Sequence, residues 1–235
     1  MDMATGPLML SEAKSRVSLK LDLGCGQTPK EGFEGVDLRS EQAKHKVDLF
    51  KFPWPFKDES VEELHASHLC EHIPAREIEP RDLQGLQTPD GNYIIDPLTD
   101  RVRAFLGQDM FFAFMDECYR ILAPDAWMTI VVPSGRSNRA FMDPTHRRFF
   151  MQETFLYLSE EWRRLQKLDH YNVHTNFGVD VGHSMPQEEG LRSQEALQTR
   201  VNHYWNTTID WIAKLKKLPR MAPIDVKLTS VNLTR

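Results

Sequence analysis

The chain has 235 residues, 40% of them apolar, and a formal net charge of −5. That is enough apolar material for one large domain with a real core, and the acidic balance gives no general field to gather nucleic acid. Wholly apolar runs such as 111–115 are far too short to cross a membrane. The opening MDMATGPLMLSEAKSR has an early Asp2 and no long apolar stretch, so it reads as an arm rather than a leader peptide. The three cysteines, Cys25, Cys70 and Cys118, are odd in number and lack C-x-x-C spacing. This argues against a disulfide framework or zinc knuckle and favours a reducing, cytoplasmic setting. We expect a single domain over 1–235, with an N-terminal arm at 1–16, an insertion at 75–108 and substrate-side elements over 135–235.

In chain order, Val17, Leu19, Leu21 and Leu23 alternate with Ser18, Lys20 and Asp22, the period of a strand. Gly24 and Gly26 then form a turn. A second short strand is expected at 34–38 and a third at 46–49. FKFPWPF, at 50–56, carries two prolines and four aromatics and predicts an irregular, partly buried loop. A fourth strand at 61–66 leads into SHLCEHIP, where Pro74 stops any helix. In the insertion, turn signals at 88–91 and 96–97 flank Tyr93, Ile94 and Ile95, the pattern of a loop or small hairpin.

The strongest helical pattern covers 108–122. Phe111, Met115, Cys118 and Leu122 form its stripe, widened by Phe112, Phe114, Tyr119 and Ile121. Residues 123–126 end it, and 127–132 predict a buried parallel strand. A loop runs through Arg148, followed by the helix-like ETFLYLSEEWRRL. Beyond it we expect a strand at 176–183, a helix over 194–218 with Lys214, Lys216, Lys217 and Arg220 on its exposed face, and a strand at 224–233. This order predicts an α/β fold with a mostly parallel central sheet and flanking helices.

Glycines at the C-terminal end of a strand let a ligand approach the backbone, at the sheet edge where open α/β folds bind ligands. The dinucleotide fingerprint G-x-G-x-x-G is incomplete here, because Pro29 stands at the third glycine. Nine residues separate Gly24 from Glu34, and a full crossover takes about a dozen or more. No complete helix fits, so no helix N-terminus is available to grip a pyrophosphate. That argues against NAD or FAD. Asp37, at the end of the second strand, can still accept the hydroxyls of a ribose, which suits a nucleoside without a pyrophosphate.

Four stretches, in order, resemble class I S-adenosylmethionine-dependent methyltransferases: LDLGCG, GVD, VDLFKFPWPFKDESVEELHASHLCEHIP and FMDECYRILAPDAWMTIVVPS. They cover roughly 17–134. The short first crossover resembles a subset written LGCG-x-x-x-x-PGF-x-GVD, and FMDPTHRRFF resembles a D-P-T-H segment of such enzymes. Two departures stand out: Asp125-Ala126 replaces the usual Gly-Gly before the fifth strand, and the 75–108 insertion has no counterpart.

The resemblance implies a Rossmann-like methyltransferase fold and S-adenosyl-L-methionine (SAM) as cofactor. It implies that Asp22 helps to fix the methionine amino group, that Gly24 and Gly26 let the cofactor approach with Cys25 a spectator between them, and that Asp37, with Leu38 beside it, binds the ribose. It places Asp48 at the adenine amino group, Leu49 against the ring, and Ser67 and His68 beside the cofactor.

A methyl on a sulfonium is already activated, so alignment provides much of the rate. An oxygen acceptor also benefits from a base. His146, in an Asp-Pro-Thr-His turn past the fifth strand, is the candidate, with Asp143 to orient it; His72 and Glu71 are secondary. His65, His68, His72 and Cys70 invite a metal reading, but no carboxylate or second cluster completes a known motif, and no metal is expected. Arg136, Arg139, Arg147 and Arg148 suit either an anionic acceptor or a solvated surface.

The reading is a SAM-dependent methyltransferase acting at oxygen on a small-molecule, sugar or glycan-like acceptor, with no membrane partner. One alternative is a nucleic-acid methyltransferase, which the acidic balance and the absence of N-P-P-Y, D-P-P-Y and Pro-Cys motifs disfavour. The other is a non-catalytic cofactor-fold module, which has no need of acids at 22, 37 and 48.

Overall fold

The computed structural model describes residues 19–84, 105–168 and 170–221. The expected arm, the middle of the insertion (85–104) and the expected strand at 224–233 lie outside them. The elements are β1 (Lys20–Leu23), β2 (Glu34–Val36), β3 (Val61–Ser67), α1 (Met110–Ile121), β4 (Leu122–Pro133), α2 (Arg139–Met142), α3 (Glu160–Leu165), β5 (Phe177–Ser184), α4 (Gln194–His203) and β6 (Asp210–Lys217). Six strands form one sheet in the order β2-β1-β3-β4-β6-β5. The first four are parallel, and β6 runs antiparallel to both β4 and β5. Among the described residues no helix is long and apolar enough to cross a membrane.

The link from β1 to β2 contains turns and no helix, as the short spacing requires. The expected third strand at 46–49 does not form. His45 makes a single bridge to Val36. The Asp48 carboxylate then accepts the N–H of Phe50 at 3.0 Å and its carbonyl accepts that of Lys51 at 3.1 Å, turning the chain instead of extending it.

α1 begins where Asp109 caps it, its carboxylate accepting the Phe111 N–H at 2.9 Å. Phe111, Phe114, Met115, Cys118 and Ile121 are all buried in the core. The expected turn at 123–126 is present as a loop-out: Val61 pairs with Leu122, but Glu63 already pairs with Trp127. Asp125 takes the left-handed backbone there, at φ 61°, so one Asp does the work of a glycine. In β4, Met128, Ile130 and Val132 are fully buried while Trp127 is 47% exposed. One face is thus deep in the core and the other only partly covered, unlike the doubly buried strand expected.

The helix expected over 194–218 stops at His203. DWIAKLKK is a strand instead, with Trp211, Ala213 and Leu215 buried in alternation. Lys214 and Lys216 point to the other face, and Lys217 is buried, donating to the Leu122 carbonyl at 2.7 Å. ETFLYLSEEWRRL is also split. A 3₁₀ stretch, Gln152–Leu158, ends at Ser159, whose hydroxyl caps α3 by accepting the Trp162 N–H at 3.3 Å.

The aromatic loop 50–56 is bolted to α1. Fully buried Glu117 accepts the Trp54 N–H at 2.6 Å and the Arg120 Nε at 2.8 Å. Arg120 also reaches the Phe56 carbonyl and Asp58, both at 2.7 Å.

Candidate cofactor and acceptor site

At the C-terminal edge of the parallel strands, the glycine turn is held by β2. The Gly24 N–H donates to the Val36 carbonyl at 2.8 Å. Gly24 has φ 67°, and a Cβ there would lie 2.8 Å from Leu69, so Leu69 occupies the space a side chain would need. Gly26 also has positive φ, yet nothing among the described residues lies within 4 Å of its absent Cβ. The open side of the turn is therefore at Gly26. Cys25 is buried and fills the space above Gly35, where a Cβ would come within 2.6 Å of its sulfur; burial pushes its thiol pKa up. That is a packing role.

Asp22 is buried, with its carboxylate engaged on both oxygens: one accepts the Lys30 N–H at 2.9 Å and the other meets His65 Nδ1 at 2.8 Å. His65 is its register partner on β3. Asp22 thus acts on the turn through the Lys30 amide. Asp37 Oδ1 accepts the N–H groups of Arg39 (2.7 Å) and Ser40 (2.9 Å), while among the described residues Oδ2 has only the Gly26 N–H at 3.3 Å. Burial pushes the Asp37 carboxyl up, but the amides of Ser40, Arg39 and Gly26 outweigh it and hold the group below its ordinary value. Each carboxylate oxygen accepts about two bonds, so Oδ2 keeps a lone pair beside the open face of Gly26. Leu38 is half-exposed next to it. Asp48 faces a polar cleft with Lys46, Lys51 and Arg81. Leu49, expected against a ring, is 6% exposed and is part of the core cluster.

β3 ends at half-buried Ser67. His68 then takes φ 53° and donates its N–H to Val131 on β4 at 2.8 Å. This sharp turn leads into the 3₁₀ turn Cys70–His72. Leu69, packed on Gly24, makes the two turns neighbours. Cys70 faces the core, where burial drives its thiol pKa far up. The suspected set of His65, His68, Cys70 and His72 is therefore not assembled: His65 serves Asp22 and Cys70 is internal.

A different group is assembled. Glu71 is 1% exposed, and its Oε1 meets His68 Nδ1 at 3.1 Å. That bond raises the His68 pKa against the opposing effect of burial. The Glu71 carbonyl accepts the N–H groups of Arg147 (2.7 Å) and Arg148 (3.1 Å), strapping the D-P-T-H loop onto this turn. His146 Nε2 then lies 4.0 Å from Glu71 Oε1, and the His72 and His146 rings meet edge to face at 4.8 Å. The expected bond from the Asp143 carboxylate to the His146 ring is absent among the described residues. Its carboxylate accepts the Thr145 hydroxyl at 2.6 Å, and Thr145 Oγ1 meets His72 Nδ1 at 3.1 Å, so Asp143 acts on His72. His146 Nδ1 is held by the Ala140 carbonyl at 2.9 Å.

No local motif marks Thr145, the Ala140 carbonyl or Leu69 for these roles, whereas the Glu71-His72 pair stands in plain sequence view. The four arginines have internal partners. Arg148 binds the Ile73 and Pro74 carbonyls and Asp109, Arg139 binds Asp210, Arg147 the Pro144 carbonyl, and Arg136 the Asn202 carbonyl. A cleft of about 670 Å³ beyond Arg148 is lined by Phe111, Phe112, Tyr157 and Tyr171 and includes none of the candidate cofactor residues.

No protein-family model and no curated protein matches the chain. Solved structures do. A SAM-dependent methyltransferase from Archaeoglobus fulgidus superimposes over 84% of this chain and 85% of its own, at 18% identity and a TM-score of 0.50. The fold is that of a SAM-dependent methyltransferase. More distant matches include SAM-dependent methyltransferases from Methanosarcina mazei (12% identity, 86% and 92% covered, TM-score 0.43) and Mesorhizobium loti (13%, 85% and 90%, TM-score 0.40). In this methyltransferase fold, the glycine turn and the Glu71 turn sit side by side at the ends of adjacent strands β1 and β3.

Proposed function

We propose that the chain is a SAM-dependent methyltransferase acting at oxygen on a small-molecule, sugar or glycan-like acceptor. The observation that carries this is the approach of Leu69 to Gly24, which makes the turn bearing Glu71 and His72 a neighbour of the glycine turn. The residues fit the cofactor: Gly26 offers an open backbone face and Asp37 Oδ2 a spare lone pair, the two things an adenosine ribose needs from this edge.

Bound SAM supplies a methyl group on an activated sulfonium. The chain's own residues place the acceptor and handle its proton. Because the Ala140 carbonyl can only accept, a neutral His146 ring carries its hydrogen on Nδ1 and its lone pair on Nε2. Nε2 is the atom that takes the acceptor hydroxyl proton. Phe141, Phe149 and Trp205 support a ring-shaped acceptor. Phe141 stacks on Phe149 at 4.6 Å and on Trp205 at 5.8 Å, all three are about half exposed, and Phe141 follows the residue that holds His146. Such faces suit the C–H side of a sugar or a planar ring.

The test is methyl transfer from labelled SAM to pooled metabolites, glycans and nucleic acids. Transfer to a small hydroxylated acceptor is expected, and transfer only to nucleic acid overturns the acceptor assignment. His146→Ala should keep SAM affinity and lower turnover by about 10²–10⁴-fold. Full turnover in that variant removes the base.

A further inference from the structure

The geometry points to a divalent transition-metal site formed by Glu71, His72 and His146. One ligand atom from each lies within 4.8 Å of the others. This goes beyond the proposed reaction and does not depend on SAM binding.

Three separate features prepare the donors. Glu71 Oε2 is buried and has no hydrogen-bond partner among the described residues; such an oxygen is costly to leave bare, and a carboxylate turned or bidentate on a cation would satisfy it, Oε1 being the oxygen 4.0 Å from His146 Nε2. The other oxygen, Oε1, is occupied by His68 Nδ1, which makes His68 a positioning residue. Both imidazoles have the same tautomer imposed on them. His146 Nδ1 must donate to the Ala140 carbonyl. His72 Nδ1 must donate to Thr145 Oγ1, whose own hydrogen goes to Asp143. Each neutral ring therefore presents a bare Nε2, the arrangement in which a metal-binding histidine gives its second N–H to a carbonyl or a carboxylate relay.

Two imidazoles and one carboxylate suit zinc and its neighbours in the first transition row better than magnesium or calcium, which prefer all-oxygen shells. Metal bonds of about 2.0–2.2 Å would need the three groups to draw in by roughly 1 Å. His72 and His146 come from short turns, one of them the exposed D-P-T-H loop, so the movement falls on side chains and loop backbone rather than the sheet. Three protein ligands leave a further position open, and an acceptor hydroxyl bound there would ionise far more readily, as metal-bound water does. A coordinated Nε2 takes no proton, so in the metal-loaded form the ion replaces His146 as the activating group.

The test uses tag-free full-length protein stripped with chelator, titrated with Co²⁺ by visible absorption and with Zn²⁺ by calorimetry. One equivalent should bind, with ligand-field bands for Co²⁺. His146→Ala and His72→Ala should each weaken binding at least about tenfold, and His174→Ala, whose ring bonds Asp116 on another part of the surface, should not. Glu71→Gln should also weaken it; if burial makes that variant unstable, the two histidine variants decide. Absence of stoichiometric binding, or unchanged affinity in both histidine variants, overturns the site. Neither result touches SAM binding, which is measured without metal.

Discussion

Gly24 and Gly26 have similar backbone angles and different surroundings, and the difference separates packing from ligand access. Both require a left-handed backbone, which costs an L-residue about 1–2 kcal/mol. Only at Gly24 would a Cβ also strike Leu69. Gly24→Ala should therefore destabilise the protein more than Gly26→Ala, by roughly 1 kcal/mol of added overpacking strain, in urea unfolding. Equal losses would show that Leu69 is not braced against the turn. Individual site residues were unequally legible. Asp37 and the glycines could be read because strand-end motifs are local. The link from Asp143 to His72 could not, because it passes through Thr145 to a turn 73 positions away.

Among the elements, α1 does more than fill the core, since it fixes the loop that follows Asp48. Buried Glu117 joins the Trp54 amide to Arg120, and Arg120 holds the Phe56 carbonyl and Asp58. Removing one partner of a buried ion pair strands the other. Glu117→Ala should cost about 3–5 kcal/mol in denaturant unfolding, and a loss below 1 kcal/mol would contradict the bolt. Here too the physics explains what could be read. The stripe of α1 repeats with helical period over 12 residues, long enough to be unambiguous. β6 was misread because Lys214, Lys216 and Lys217 look like a charged helix face. Only pairing with both β4 and β5 shows that its true period is two. The expected strand at 46–49 is absent for the opposite reason: Val47 and Leu49 alternate with Lys46 and Asp48 as in a strand, but the Asp48 turn uses the backbone before a ladder can form.

For the molecule as a whole, a mostly parallel sheet brings two turns from distant parts of the chain to one edge. Leu69 ties them together, and the Glu71 carbonyl straps on the D-P-T-H loop. Under the proposed function, Gly26 and Asp37 form the adenosine side and His72 and His146 the acceptor side. The helix-free turn between the neighbouring strands β1 and β2 follows from their short link, which sequence spacing alone required. The union of Glu71, His72 and His146 depends on tertiary hydrogen bonds and could be found only in three dimensions. The most direct test is calorimetric titration of metal-free wild-type and Asp37→Ala protein with SAM, with thermal melts to confirm that both are folded. Stoichiometric binding by the wild type, weakened at least about tenfold (about 1.4 kcal/mol) in Asp37→Ala, is the predicted result. No binding by the folded wild type, or equal affinity in the folded variant, would contradict the account.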